Sequence, residues 1–297
     1  MGTTIQATSI SANNKCSSSL DHSTLASEQC ITAAGIEKCD IDLLINIGIF
    51  RDDNINEPAI ATLIQNRLGL NMDSINGKQA KTTFSFDLMN GACGFLYAGQ
   101  VVDALFKNDA NKQALIVSSD VHPSNNLTPD FPYSQMGAAA ILGQSQKAHR
   151  GFESFYFNTS NDGYEGAGSY CDVLTGGSQS RNCVTIDMQH DFHSRLQQYA
   201  VLTIEKFLKS HQTAVAEISL LIISQPEAGF AHAVAESIGF ERSAVIDVWS
   251  SYGNPHTSGL SIGYHMAAAK GLIGEGDRIL FVGAGSGLTA ACGLYVV

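Results

Sequence analysis

The sequence predicts an α/β fold of two similar halves, and three observations carry that prediction. Short apolar runs alternate with stretches of helical spacing, some of those runs are apolar almost throughout, and the order of elements is used twice. Residues 3–10 alternate and form a first strand. Residues 20–35 carry Leu25, Ala26, Cys30, Ala33 and Ala34 at helical spacing, with Asp21 or Ser23 as N-cap and Gly35 as stop. The run 41–49 is too continuously apolar for an edge strand and reads as a central parallel one. Glu57-Pro58 opens a helix through Leu68, with proline at its first position. A strand at 84–88, a helix from Phe95, a buried strand at 114–119 and a strand at 136–143 complete the first series, after an irregular segment at 124–134.

Residues 152–183 are polar and glycine-rich and read as a lid or covering. Residues 190–209 then form an amphipathic helix, and the earlier order returns as strand 218–224, helix 229–239, strand 244–249, helix 258–271 and strand 278–283. The division falls into residues 1–150 and 151–297, related by a pseudo-twofold axis that brings equivalent turns face to face.

The chain has 297 residues, 44% of them hydrophobic, enough for a large core. Net charge −11, from 17 basic and 28 acidic residues without a basic run, disfavours nucleic acid and anionic membranes as partners. The seven cysteines are odd in number, scattered and free of any C-x-x-C pair, so neither a disulfide framework nor a zinc site is indicated and a reducing cytoplasm is the expected location. No apolar run approaches the length of a membrane span.

The chemistry centres on Cys93. Phe84, Phe86 and Leu88 alternate at strand spacing, Phe95, Ala98, Val101, Val102, Leu105 and Phe106 recur at helix spacing, and Asn90-Gly-Ala-Cys-Gly94 is the turn between them. A cysteine there meets free backbone N–H groups and the positive end of a helix dipole, which favour a thiolate and lower the pKa toward neutrality. The competing reading is one more small buried hydrophobe.

An acyl-transferring thiolate needs a base or cation near sulfur and donors for the thioester oxygen. The turn that the duplication sets opposite Cys93 is Tyr252-Gly-Asn-Pro-His256; Asn254 can donate through its amide, and His256 can donate or accept. As structural residues the same two would be an Asn-Pro turn and an exposed loop histidine. The remaining histidines read as surface or helix positions, apart from His122 near a strand end. The run Gly283-Ala-Gly-Ser-Gly-Leu-Thr289 lacks the Lys of a phosphate loop and any following acid of a dinucleotide site, so its glycines suit a close backbone approach.

Asn90-Gly-Ala-Cys-Gly-Phe95, Tyr252-Gly-Asn254, Gly276-Asp-Arg-Ile-Leu280 and Gly285-Ser-Gly-Leu-Thr289, in that order, resemble the 3-oxoacyl-[acyl-carrier-protein] synthase III family of the thiolase superfamily. The resemblance implies a five-layer αβαβα sandwich, a homodimer or a heteromer with a related synthase, and acylation of Cys93 by a thioester of coenzyme A or acyl carrier protein. A carbanion from a decarboxylated malonyl group would then attack. It implies no resident cofactor or metal.

Three departures stand out. Ser224 of Ser224-Gln-Pro-Glu227 aligns with the family's histidine and is no base. One residue is missing between Cys93 and Gly94. The N-terminal Trp and Arg-rich segment that grips coenzyme A is absent. These favour a specialised member acting in secondary metabolism, with His256 replacing the lost base. The alternatives are acyl transfer to an amine, hydroxyl or other external acceptor without decarboxylation, and a degenerate partner subunit of a heteromeric synthase.

Overall fold

The computed structural model describes residues 2–12, 16–72, 81–107, 112–124, 131–145, 147, 149–164, 166–171 and 176–297. Of the segments read above, residues 125–130 of 124–134 and residues 165 and 172–175 of 152–183 lie outside these.

The first sheet runs β1-β5-β4-β2-β3, from β1 (Gly2–Ser11), β2 (Leu43–Asn46), β3 (Phe84–Asp87), β4 (Gln113–Asp120) and β5 (Met136–Ser145). The second runs β6-β11-β10-β9, from β6 (Gly151–Thr159), β9 (Leu220–Ile223), β10 (Arg278–Gly285) and β11 (Thr289–Val296), and a single bridge from Leu221 to Val245 extends it. Directions match position by position. β1 and β5, β5 and β4 pair antiparallel and β4, β2 and β3 parallel; β6 and β11, β11 and β10 pair antiparallel and β10, β9 and Val245 parallel.

Alternating residues of the buried strands feed different layers, as a pleated strand covered on both faces requires. Leu43 and Ile45 of β2 and Ile222 of β9 face a central layer, where they meet Phe95 and Val102 of α3 (Gly94–Phe106) and Leu260 and Ile262 of a second helix, α7 (Gly259–Ala269). Leu44 faces outward onto α1 (Ser19–Ala34) and α2 (Ile60–Leu68). Leu221 and Ile223 face α4 (Phe192–Ser210) and α5 (Phe230–Ser237). Helices, sheet, helices, sheet and helices give the five layers. No helix among the described residues is long and apolar enough to cross a membrane.

Several expectations are corrected. The N-cap of α1 is Ser18, which accepts from Asp21 N at 2.9 Å, while the Asp52 carboxylate takes Ser19 N at 2.7 Å; neither Asp21 nor Ser23 caps it. Pro58 is not the first residue of α2. The helix begins at Ile60 because the Asp87 carboxylate, at the end of β3, accepts from Ile60 N and Ala61 N at 3.0 and 2.8 Å. The stretch 244–249 contributes one bridge and then the short helix α6 (Trp249–Tyr252), because Gln225 Oε1 accepts from Val248 N and Trp249 N at 3.1 and 2.9 Å. The polar region 152–183 contains β6, buried in part against β11, and β7 (Ala167–Tyr170), which pairs with β8 (Thr185–Met188).

Gly283 in β10 makes the close approach expected of the glycine run. A Cβ there would lie 2.7 Å from Ala92 O and 2.8 Å from Cys93 Cα, both backbone atoms that cannot swing aside. Gly283→Ala is expected to destabilise the protein by about 1–3 kcal/mol through overpacking, read as a lower urea midpoint, and to disturb the turn that carries Cys93.

Candidate active site

The turn after β3 and the turn after α6 reach one cavity of ≈ 440 Å³, whose lining includes Cys93, Ser224, Asn254 and His256. All four residues singled out in the sequence therefore meet in one place. The β7–β8 pair supplies Ala167, Gly168, Ser169, Ile186 and Met188 to the same wall, so the glycine-rich region is a covering as expected.

Gly91–Cys93 form one 3₁₀ turn, α3 starts at Gly94, and Cys93 occupies the N-cap position. Its thiol is 1% exposed and donates toward Thr289 O at 3.7 Å. Burial pushes the Cys93 thiol up to about 12, opposed in part by the backbone at Ala291. This runs against the expected thiolate: burial of the sulfur disfavours its charged form. Iodoacetamide labelling of Cys93 should accordingly rise about tenfold per pH unit from about pH 7 to 10, with no plateau near the pKa of about 8.5 of a free thiol. A plateau in the labelling rate below about pH 9 would contradict this.

His256 is tied to the fold by a buried carboxylate that the sequence reading passed over. Asp120 ends β4 and is wholly buried. Its Oδ1 accepts from Ile49 N and Phe50 N at 2.8 Å each, and its Oδ2 accepts from Thr257 N and lies 3.1 Å from His256 Nδ1. Burial by itself would push the Asp120 carboxyl up, but the His256 charge and hydrogen bond, with those from Thr257 and Phe50, outweigh it and hold the group below the usual carboxylate range. The imidazole also stacks on Tyr133, ring centroids 4.2 Å apart. Its backbone is left-handed, φ 47°, a strained conformation for a histidine that Asn254 supports by accepting from His256 N at 3.0 Å. Nδ1 is thus occupied and Nε2 faces the Cys93 turn: a Cβ on Gly91 would lie 3.6 Å from it.

The Asn254 amide donates toward Pro226 O at 3.4 Å, a long bond, while its oxygen serves the turn. Ser224 Oγ accepts from Ala284 N at 2.9 Å and donates to Ala284 O at 3.2 Å, which commits it to holding the end of β9 to the end of β10. Among the described residues no group of three or more His, Cys, Asp or Glu is placed to hold a metal.

The Cys93 thiol thus sits at a strand-to-helix elbow in a cavity lined from both halves of a two-sheet fold. The family model described as 3-oxoacyl-[acyl-carrier-protein] synthase III C terminal matches residues 208–297. Curated relatives include beta-ketoacyl-[acyl-carrier-protein] synthase III of Fusobacterium nucleatum, 30% identical over 284 residues (91% of this chain, 81% of the relative), and that of Rickettsia rickettsii, 26% identical over 275 residues (89% and 80%). In fold, the chain is similar to 3-oxoacyl-[acyl-carrier-protein] synthase III from Aquifex aeolicus VF5, with TM-score 0.81, 18% identity and 100% of both chains covered. It is also similar in fold to OleA from Xanthomonas campestris, with TM-score 0.80, 16% identity and 100% and 99% covered. The chain belongs to the beta-ketoacyl-[acyl-carrier-protein] synthase III family and is an acyltransferase of that condensing class.

Proposed function

We propose that Cys93 attacks an acyl thioester of coenzyme A or acyl carrier protein, carries the acyl group, and delivers it to a carbon nucleophile in fatty-acid-like or polyketide biosynthesis. The observation that supports this most is the convergence of Cys93, Asn254 and His256 on one cavity. His256, its Nδ1 on Asp120, takes the thiol proton through Nε2 as sulfur bonds to the carbonyl carbon, which serves a thiol that burial keeps protonated. The donor's thioester C–S bond then breaks, and the proton on Nε2 passes to the departing coenzyme A or carrier sulfur, which leaves as the free thiol. Asn254 exchanges its long bond to Pro226 for one to the carbonyl oxygen that gains charge. Coenzyme A or carrier-bound thioesters are substrates, the assembly is a homodimer or a heteromer with a related synthase, and the setting is cytoplasmic secondary metabolism.

Ser224 favours a second reading. Locked on Ala284, it offers no base where the family's histidine stands, which supports acyl transfer to an amine, hydroxyl or other acceptor without decarboxylation. A degenerate partner subunit is the limiting case. Incubation with acyl-coenzyme A, then with malonyl-coenzyme A, separates the three by mass spectrometry. The condensation reading expects an adduct discharged by malonyl thioester with loss of CO₂. A persistent adduct in the presence of malonyl thioester supports the second reading, and absence of any adduct the third.

A further inference from the structure

One imidazole reaches the cavity without a part in the chemistry above. His193 stands in the first turn of α4 and lines the same cavity as Cys93. Its Nδ1 lies 2.8 Å from Glu227 Oε2, while Nε2 is buried without a hydrogen-bond partner among the described residues. In a neutral imidazole a carboxylate at Nδ1 fixes the proton there and leaves a lone pair on Nε2. A buried acceptor with no donor is unfavourable unless something that enters the cavity satisfies it. The His193 side chain is 27% exposed against 1% for Cys93, so it meets the part of a substrate that stays nearer solvent than the reacting carbonyl.

We propose that His193 is a specificity-determining residue whose Nε2 accepts a hydrogen bond from an N–H or O–H group of the substrate, with Glu227 holding the accepting tautomer. The assignment rests on the acyl-Cys93 reading. The donor group belongs either to the arm that carries the thioester or to the nucleophile that receives the acyl group.

The test follows acylation of Cys93 by octanoyl-coenzyme A, whose arm carries amide N–H and hydroxyl groups, and by S-octanoyl methyl thioglycolate, which carries neither. It then follows discharge of the octanoyl-protein by hydroxylamine. His193→Phe keeps an aromatic ring and removes both nitrogens; His193→Gln keeps an acceptor. If the arm is the source, His193→Phe raises KM for octanoyl-coenzyme A by about tenfold or more and leaves the thioglycolate unchanged. If the nucleophile is the source, acylation is unchanged and discharge slows by about tenfold or more. In both cases His193→Gln restores most of the loss. Rates within about twofold of the parent protein in both steps, or equal losses with both thioesters that His193→Gln leaves unrepaired, would overturn the assignment alone. Failure of the parent protein to take an octanoyl group from either thioester would overturn the assignment together with the acyl-Cys93 reading.

Discussion

Cys93→Ala is expected to lower turnover of acyl thioesters by at least about a thousandfold and to leave the protein without a covalent acyl group. The size of the effect follows from the role. A nucleophile divides one difficult step into two easier ones, and what remains after its removal is binding and whatever donors face the carbonyl. Cys93→Ser should be nearly as inactive, because an alcohol buried to 1% exposure is harder still to deprotonate than the thiol it replaces. The fold should survive, since alanine fits a small, apolar site between α3 and β11. Intact mass after incubation with octanoyl-coenzyme A, beside a thermal unfolding curve, reads both outcomes; an adduct of unchanged yield in Cys93→Ala would mean that another side chain carries the acyl group.

Asp120→Ala is expected to destabilise the protein by about 3–5 kcal/mol, since it removes a wholly buried carboxylate that pairs with the partly exposed His256. The backbone N–H groups of Ile49, Phe50 and Thr257 lose their acceptor as well. Asp120→Asn should cost less in stability but slow acylation, because an amide gives His256 Nδ1 no charge to stabilise its protonated form. The sign with pH is fixed by the Asp120 pKa, which is lowered in the folded protein. Stability from that shift is fully present above the ordinary value of 3.8 and is lost as pH falls through the lower, folded value. The stability difference between the parent protein and Asp120→Asn should therefore shrink as pH falls below 3.8. Urea unfolding across the acid range checks this, and a difference that fails to shrink there would contradict it.

What the sequence made legible, and what it hid, follow from different physics. Period change at Asn90–Gly94 exposed the elbow because strand and helix spacing are local properties, and the recurrence of element order exposed the two-sheet architecture. Side chains that act across the fold were hidden. Asp87 caps α2 from the end of another strand, so the Glu57-Pro58 signal misplaced the helix start. Asp120 reads as the polar end of an apolar strand, although a carboxylate closing a buried run was itself a signal. His193 carried no local signal at all: its partner is Glu227, distant in the chain, and only packing of α4 against the second sheet brings it to the cavity. The Cys93 environment failed for a related reason. The dipole is local to α3, but the burial that raises the thiol is a property of the assembled fold, in which Thr289 O of β11 lies 3.7 Å from the sulfur.

The most direct test of the account is to map the acyl group itself. Wild-type protein is incubated with octanoyl-coenzyme A, quenched in acid, digested and sequenced by tandem mass spectrometry. The account predicts an octanoyl thioester on the peptide containing Cys93 and on no other cysteine. An octanoyl group on a different residue, or an unmodified Cys93 peptide after prolonged incubation with this and carrier-bound acyl donors, would contradict it.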